Sequence, residues 1–132
     1  MSGAVAAAAP RVGLDLVAVA PFRARFEGRD ALLAEVFTAE ELAYACSRQS
    51  PWPHLAARFA AKEAALKALR SGLAGAMSFA EIEVTRDAAG APGLVFHGAV
   101  AAAARREGVQ AASVSLSHTD EQAMAVVVLS PA

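Results

Sequence analysis

The longest periodic segment of the sequence runs from His54 to Ser71 and predicts a single long helix that ends at Gly72. At about 100° per residue, its large apolar side chains fall within one stripe roughly 80° wide. The stripe consists of Leu55, Phe59, Leu66 and Leu69. Lys62 projects from the middle of this stripe, so the predicted helix carries an ammonium group on its most apolar side.

Strand and turn patterns precede this helix. Residues 11–19 alternate in the manner of a strand buried on one or both faces, and residues 22–26 fit a short helical turn after it. Thr38 and Glu41 have the spacing of a capping box, in which each residue satisfies a backbone N–H near the start of a helix. The pair predicts a helix from about residue 39 to residue 47.

After the long helix, the apolar period changes to that of strands. The predicted elements are a strand at 79–85, a turn at 87–93, a short strand at 94–96, a helix at 99–107, and strands at 114–117 and 123–129. About five residues separate the last two strands, which predicts a hairpin.

The composition limits the size of the core. Of the 132 residues, 36 are alanine, which has little apolar surface to bury, and 38 other apolar residues remain. That number is enough for one compact core, so we predict one domain over residues 11–130 after a disordered or weakly ordered lead at residues 1–10. A net charge of −1 and a mean hydropathy of +0.39 are not typical of long disordered chains.

Several classes of protein fit poorly. No uncharged run approaches the roughly 20 residues that a membrane-spanning helix needs, so no membrane association is expected. Cys46 is the only cysteine, which leaves no internal disulfide or cysteine-built metal site and fits a reducing cytoplasm. The near-neutral charge gives no sequence-wide case for nucleic-acid binding. Phosphate-binding glycine loops and the histidine spacing of zinc hydrolases are absent from the sequence.

Asp15 interrupts the apolar first strand between Leu14 and Leu16. A carboxylate in such a strand is costly to bury without a partner. Two interpretations stay open: a strand-end aspartate bonded to nearby backbone amides, or a carboxylate compensated by a metal ion or another cation.

Lysine usage singles out the long helix. The chain has ten arginines but only two lysines, Lys62 and Lys67, and these bracket Glu63. Glu63 and Lys67 fit an exposed helix pair worth about a few tenths of a kcal/mol, but a lysine ammonium also suits phosphate oxygens. Lys62 either extends past the apolar stripe to water or contacts a ligand. His118, where a predicted strand ends, is either an exposed polar residue or a functional one.

Four segments, taken in order, resemble the 4′-phosphopantetheinyl transferases, and their order and the chain length are similar to the short holo-acyl-carrier-protein synthase type. The segments are Val12-Gly13-Leu14-Asp15-Leu16-Val17, Phe37-Thr38 with Glu41-Leu42, the run from Leu55 to Leu69, and Val114-Ser115-Leu116-Ser117-His118-Thr119. The resemblance covers residues 11–129. The sequence RFAAKEAALKAL, which begins at Arg58, is the most specific part.

The resemblance implies transfer of the phosphopantetheine arm of coenzyme A to a serine of an apo-acyl carrier protein, with release of 3′,5′-ADP. Asp15 and Glu63 match the magnesium ligands of the family, and Mg²⁺ prefers such oxygen-rich surroundings. Lys67 matches a lysine that contacts phosphate. Lys62 matches a motif lysine that contacts phosphate or assists proton removal, and Glu63 or a metal-bound water are alternative bases.

The resemblance also assigns binding residues. Arg58 and His118 match positions that hold coenzyme A near its 3′-phosphate, and Ser117, beside His118, is also expected to bind coenzyme A. Arg23 and Arg25 are the expected contacts with an acidic carrier protein of the fatty-acid or polyketide type. The family often has an acidic residue three positions after the aspartate and an arginine soon after it. In this chain Ala18 and the segment Ala20-Pro21-Phe22 stand at those places, and Arg23 and Arg25 come later.

The implied fold is α+β, with a long helix packed on a small antiparallel sheet. Short members of the family usually assemble as homotrimers with active sites between subunits. The departures after Asp15 motivate an alternative hypothesis, a non-catalytic module that binds coenzyme A or a carrier protein. A third hypothesis is a structural α+β domain in which Glu63 and Lys67 form a surface pair.

Overall fold

The computed structural model describes residue 3 and residues 9–131, and this part of the chain contains five strands, five helices and one 3₁₀ turn. The strands are β1 (Arg11–Ala18), β2 (Ile82–Arg86), β3 (Pro92–Phe96), β4 (Val109–His118) and β5 (Gln122–Pro131). The helices are α1 (Val19–Phe26), α2 (Asp30–Val36), α3 (Ala39–Cys46), α4 (Pro51–Leu69) and α5 (Gly98–Arg106). The lead expected at residues 1–10 falls mostly outside the described residues, and the single domain over residues 11–130 stays a prediction.

Two antiparallel sheets form the β part of the fold. In the larger sheet β5 is the central strand and pairs with β1 on one side and β4 on the other, whereas β2 and β3 form a separate hairpin. The long helix α4 packs against β1 and β5. The prediction of an α+β fold with a long helix on a small antiparallel sheet is confirmed. Among the described residues, the helices are too short or too polar to cross a membrane.

The chain passes from β1 into α1 without a loop. β1 ends at Ala18 and α1 begins at Val19, so the helical turn expected at residues 22–26 is the second half of a longer helix. Pro21 lies in the first turn of α1, where a helix does not need its N–H group. The sequence pattern did not indicate α2, because its seven residues make only about two turns.

The long helix is shifted towards the N-terminus relative to its prediction. It begins at Pro51, a residue type favoured in the first helical turn, and it ends at Leu69. Arg70 provides the C-cap with a φ of 58°, in the left-handed region, and its backbone N–H closes the last turn. The prediction of Gly72 as the cap is therefore wrong, since the helix has already ended.

The remaining elements differ from their predictions mainly in length. Thr38 and Glu41 form the predicted capping box of α3. The strand expected at residues 79–85 opens with a 3₁₀ turn at Phe79–Glu81 before β2 begins. The predicted hairpin of β4 and β5 is present, and each strand is ten residues long.

The larger sheet has one covered face and one exposed face. Asp15 and its neighbours two residues away on β1 face α4, while the large apolar side chains of β1 point the other way. These side chains and Met124 of β5 form what we call the outer sheet face. Its members are Val12, 62% exposed, Leu14, 53%, Leu16, 61%, and Met124, 40%. No other element in the described part of the chain covers this apolar face.

The opposite face of β1 lies directly on the backbone of α4. A Cβ atom at Gly13 would overlap the carbonyl oxygen of Ala64 and would lie 2.9 Å from the backbone nitrogen of Ala68. Every alanine on this side of the helix is at most 2% exposed, and the set comprises Ala57, Ala60, Ala61, Ala64, Ala65 and Ala68. Small side chains on both elements thus allow the strand and the helix to approach closely, and this approach places Asp15 next to α4.

We expect the substitution Gly13→Ala to lower the free energy of unfolding by about 1–3 kcal/mol, because the added methyl group would overlap helix backbone, which moves less readily than a side chain. Denaturant unfolding monitored by circular dichroism measures the change. Gly72→Ala is the matched control, since a Cβ atom there meets no atom within 4 Å. Equal stability of the two variants would contradict the close approach of β1 and α4.

Candidate functional site

Asp15 has a cationic partner within the chain. Its Oδ1 accepts a hydrogen bond from Nζ of Lys67 at 3.0 Å, and the same ammonium donates to the carbonyl oxygen of Leu14 at 2.9 Å. The side chain of Asp15 is 18% exposed and that of Lys67 is 55% exposed. Of the two interpretations left open by the sequence, the structure therefore supports compensation by a cation, and the ammonium remains open to solvent.

Glu63 faces the same space as Asp15. Burial raises the pKa of Glu63, the negative charge of Asp15 raises it further, and Lys67 and Arg25 oppose both effects. Glu63, Asp15 and Arg25 line a hollow of about 440 Å³, together with the aromatic rings of Phe22 and Phe59. We call this space the carboxylate hollow. It brings together three residue types suited to phosphate chemistry: two carboxylates, an arginine and, at its edge, a lysine.

The carboxylate hollow fits a magnesium ion better than a metal that needs a complete protein cage. Within residue 3 and residues 9–131, no group of three or more His, Cys, Asp or Glu side chains is placed to bind a metal. Mg²⁺ is typically held by one or two carboxylates, with water and substrate phosphates completing its octahedral shell. After burial, the negative charge of Asp15 is the second cause that raises the pKa of Glu63, and a divalent cation would relieve this repulsion.

The two arginines of α1 differ in their surroundings. Arg23 is bound to Glu27, with Nε and Nη2 at 2.8 and 2.7 Å from Oε2, and its guanidinium lies 5.8 Å from the ring of Trp52. Arg25 packs beside Phe26, with its guanidinium 5.5 Å from the ring centre, and it lines the carboxylate hollow. Only Arg25 therefore lies next to the candidate metal ligands.

Lys62 is sealed inside the protein. It is 0% exposed, and its ammonium donates to Oε1 of Glu41 at 2.8 Å and to the carbonyl oxygens of Phe79 and Ile82 at 3.1 and 2.6 Å. Burial lowers the pKa of Lys62, and the charge of Glu41 offsets part of this effect. All three N–H groups of the Lys62 ammonium are used in these hydrogen bonds. Lys62 therefore has no free N–H group for the phosphate contact or the proton removal expected from the sequence.

Glu41 is a residue whose importance the sequence pattern understated. Its Oε1 accepts from the backbone N–H of Thr38 at 2.8 Å as well as from Lys62, and its Oε2 accepts from the backbone N–H of Val84 at 2.9 Å. The capping box was visible in the sequence. Its further links to α4 and β2 were not, because they join residues 21 and 43 positions away.

A second polar region lies at the N-terminal half of α4. Nη1 of Arg58 donates to the carbonyl oxygen of His54 at 3.4 Å, and the rings of His54 and His118 are 4.7 Å apart. The structure thus connects Arg58 and His118 through His54. Ser117 is an exposed residue opposite Met124 in the β4–β5 register, so its side chain belongs with the outer sheet face, on the opposite side of β4 from His118.

Residues that the sequence pattern did not indicate complete this second region. The guanidinium groups of Arg58 and Arg86 lie 4.3 and 4.1 Å from the ring centre of Tyr44, and that of Arg48 lies 5.7 Å away. Tyr44, Arg58 and Arg86 share a pocket of about 400 Å³ with the polar edge of β2. Because its members come from α3, α4 and β2, no local sequence signal could have identified the group.

The two polar regions lie on different sides of α4. Glu63 lies five positions after Arg58 and Lys67 lies nine positions after it, which correspond to rotations of about 140° and 180° around the helix axis. One chain therefore does not gather all the expected site residues in one pocket.

Comparisons with known proteins agree with the fold. The sequence profile of the 4′-phosphopantetheinyl transferase superfamily matches residues 11–127. The chain belongs to this superfamily, as the four motif segments indicated.

Relatives define the type within the superfamily. A holo-[acyl-carrier-protein] synthase of Moorella thermoacetica is 42% identical over 117 residues, which cover 89% of this chain and 91% of that protein. The crystal structure of a Neisseria meningitidis holo-[acyl-carrier-protein] synthase superimposes with a TM-score of 0.79 at 32% identity and covers 90% of this chain and 96% of its own. A Chronobacterium ammoniagenes complex of the synthase with CoA gives a TM-score of 0.81 at 32% identity, with coverages of 94% and 98%. This chain is accordingly an enzyme of the short holo-[acyl-carrier-protein] synthase type.

We expect substitution of the two lysines to lower the stability of the protein by very different amounts. Lys62→Met would leave the buried carboxylate of Glu41 without its charge partner and should lower the free energy of unfolding by about 3–5 kcal/mol. Lys67→Met removes an exposed ammonium and should cost less than about 1 kcal/mol. Denaturant titration of both variants, which carry the same chemical change, measures the difference. Similar losses would show that Lys62 does not stabilise the interior as described.

Proposed function

We propose that this enzyme transfers the 4′-phosphopantetheine group from coenzyme A to a serine of an apo-acyl carrier protein, depends on Mg²⁺ and releases 3′,5′-ADP. The observation that carries the proposal is the carboxylate hollow, in which Asp15 and Glu63 face one space with Lys67 beside them. Membership of the superfamily and the relative solved with CoA support the choice of substrates.

Asp15 and Glu63 would hold the magnesium ion, which when bound supplies positive charge against the pyrophosphate. Lys67 adds a second positive charge, because its exposed ammonium can turn from Asp15 towards a phosphate oxygen. The reaction is a displacement at the β-phosphorus: the serine oxygen forms a bond to phosphorus, and the bond to the bridging oxygen of 3′,5′-ADP breaks. The chain's contribution is therefore mainly positioning and charge.

The serine proton needs an acceptor near the attacking oxygen. Glu63 lines the carboxylate hollow, so an oxygen of its carboxylate that does not hold the cation can accept this proton. We assign the proton to a carboxylate oxygen of Glu63. Arg58 and His118 hold the coenzyme A molecule at its 3′-phosphate end, as the resemblance implies.

Binding of the carrier protein is assigned to α1. Arg23 and Arg25 are the expected contacts with acidic residues of the carrier protein. Arg25 lines the carboxylate hollow, which the serine of the carrier must approach to react. The carrier belongs to fatty-acid or polyketide synthesis in this proposal, and the enzyme acts in the cytoplasm.

The proposal includes a homotrimer. The outer sheet face exposes four large apolar side chains, which a second copy of the chain would cover. In addition, Arg58 and Lys67 lie on opposite sides of α4, so an arginine from one copy can meet the carboxylate hollow of another. A shared site of this kind requires two copies for each coenzyme A molecule.

We expect the enzyme to add one phosphopantetheine group to an apo-carrier in the presence of coenzyme A and Mg²⁺, as measured by intact-mass spectrometry against fatty-acid, polyketide and peptide-synthesis carriers. Asp15→Asn and Glu63→Gln should each lower kcat/KM by about 100-fold or more, because each removes a charge from the reacting centre. Glu35→Gln, on the exposed surface of α2, is the control and should leave the rate unchanged.

Two results would count against this proposal. Absence of transfer to every carrier, with coenzyme A still bound in calorimetry, would favour the non-catalytic binding module. Full activity of Asp15→Asn and Glu63→Gln would reject the assignment of these carboxylates while leaving the transfer reaction intact.

We expect Val12→Asp to weaken the assembly by at least about tenfold, because it places a charge in the contact proposed at the outer sheet face. Analytical ultracentrifugation over a range of concentrations measures the change, and transfer activity should fall with it. Leu73→Asp is the control, since Leu73 is 44% exposed but lies outside the outer sheet face. A Val12→Asp protein with unchanged mass would mean that this face is not the interface.

A further inference from the structure

Tyr44 lies among an unusual number of positive groups. The guanidinium carbons of Arg58 and Arg86 are 4.3 and 4.1 Å from its ring centre, and the ring of His54 is 5.7 Å away. Burial lowers the pKa of His54, and the positive charges of His118 and three arginines, including Arg58 and Arg86, lower it further. The region is therefore electropositive although the chain as a whole is nearly neutral.

The two arginines next to Tyr44 have no carboxylate partner in the described part of the chain. Neither Arg58 nor Arg86 forms a salt bridge there. Arg58 is only 4% exposed, and its buried Nε has no hydrogen-bond partner among those residues. A buried donor without an acceptor is costly, so this geometry points to an acceptor supplied by a ligand.

The carboxylates that also line this pocket do not neutralise the arginines. Both oxygens of Glu41 are used by Lys62 and by backbone N–H groups. Those of Glu83 accept from the hydroxyl group of Thr38 and pair with His97. Glu40 is exposed and forms no ion pair with a described residue. The pocket of about 400 Å³ thus keeps two guanidinium groups available to an anion.

We propose that Arg86 and Tyr44 act with Arg58 to recognise the 3′-phosphate of coenzyme A, and that Arg86 is the residue that distinguishes coenzyme A from its 3′-dephospho form. Guanidinium groups offer paired N–H donors that match the oxygens of a phosphate dianion. The ring of Tyr44 holds both guanidinium groups in place by cation–π contact, and its hydroxyl group adds a donor. This inference rests on the proposed function for the identity of the ligand, but the anion site itself does not.

The test compares ligands that differ by one phosphate group. Isothermal titration calorimetry without metal should show that Arg86→Gln weakens binding of 3′,5′-ADP by about 10- to 100-fold, as expected for lost hydrogen bonds to a charged group. Binding of 5′-ADP, which lacks the 3′-phosphate, should not change. Arg86 is exposed, so its substitution should leave the fold intact. Arg105→Gln, at an arginine of α5 that lies outside this pocket, is the matched control and should behave as the wild type.

Kinetics provide a second readout. Arg86→Gln should raise the KM for coenzyme A by about 10-fold or more with little change in kcat, while transfer from 3′-dephospho-coenzyme A stays as in the wild type. Arg86→Lys keeps the charge but loses the paired donors, so its KM for coenzyme A should lie between those of the wild type and Arg86→Gln. Tyr44→Leu should weaken 3′,5′-ADP binding in the same sense.

The two proposals fail in different ways. If the wild type transfers phosphopantetheine but Arg86→Gln binds 3′,5′-ADP as tightly as the wild type, the role of Arg86 is rejected and the transfer function stands. If the wild type transfers nothing, yet binds 3′,5′-ADP more tightly than 5′-ADP in an Arg86-dependent manner, the anion site stands and the transfer function is rejected.

Discussion

The buried ion pair between Glu41 and Lys62 is the interaction on which the interior of this protein depends. Its two charged groups are fully buried and bonded to each other, and they form four further hydrogen bonds with groups at the N-cap of α3, in the 3₁₀ turn and in β2. Such a pair tolerates little change in geometry, because an unmatched charge in the interior costs several kcal/mol. It therefore fixes the rotation of α4 about its axis, and that rotation decides which way Arg58, Glu63 and Lys67 point.

Local sequence patterns predicted the parts of the structure that depend on near neighbours. The capping box of α3, the existence of α4 and the β4–β5 hairpin each follow from residues a few positions apart. The end of α4 at Arg70 was not predictable, since the φ of an arginine leaves no signature comparable with that of glycine. The site divides in the same way: Asp15 stood out as a carboxylate in an apolar strand, whereas the burial of Lys62 depends on partners about 20 residues away.

The many alanines have a structural use beyond thinning the core. Because the side chains of α4 that face β1 are small, Gly13 lies directly against the helix backbone. This close approach places Asp15 of β1 within hydrogen-bonding distance of Lys67. Larger side chains on the helix would hold β1 farther away and separate the two groups. The small residues thus contribute to the site only by setting the distance between β1 and α4, since their side chains carry no polar atom.

The contrast between the two lysines also has a chemical consequence. Lys62 is closed to solvent and Lys67 is 55% exposed, so the folded protein offers a single side-chain amine to an acylating reagent. That amine lies at the edge of the carboxylate hollow. Covalent labelling of lysine, which on most proteins gives a mixture of modified surface positions, would here act as a selective probe of the site and attach a fluorophore or spin label beside Asp15.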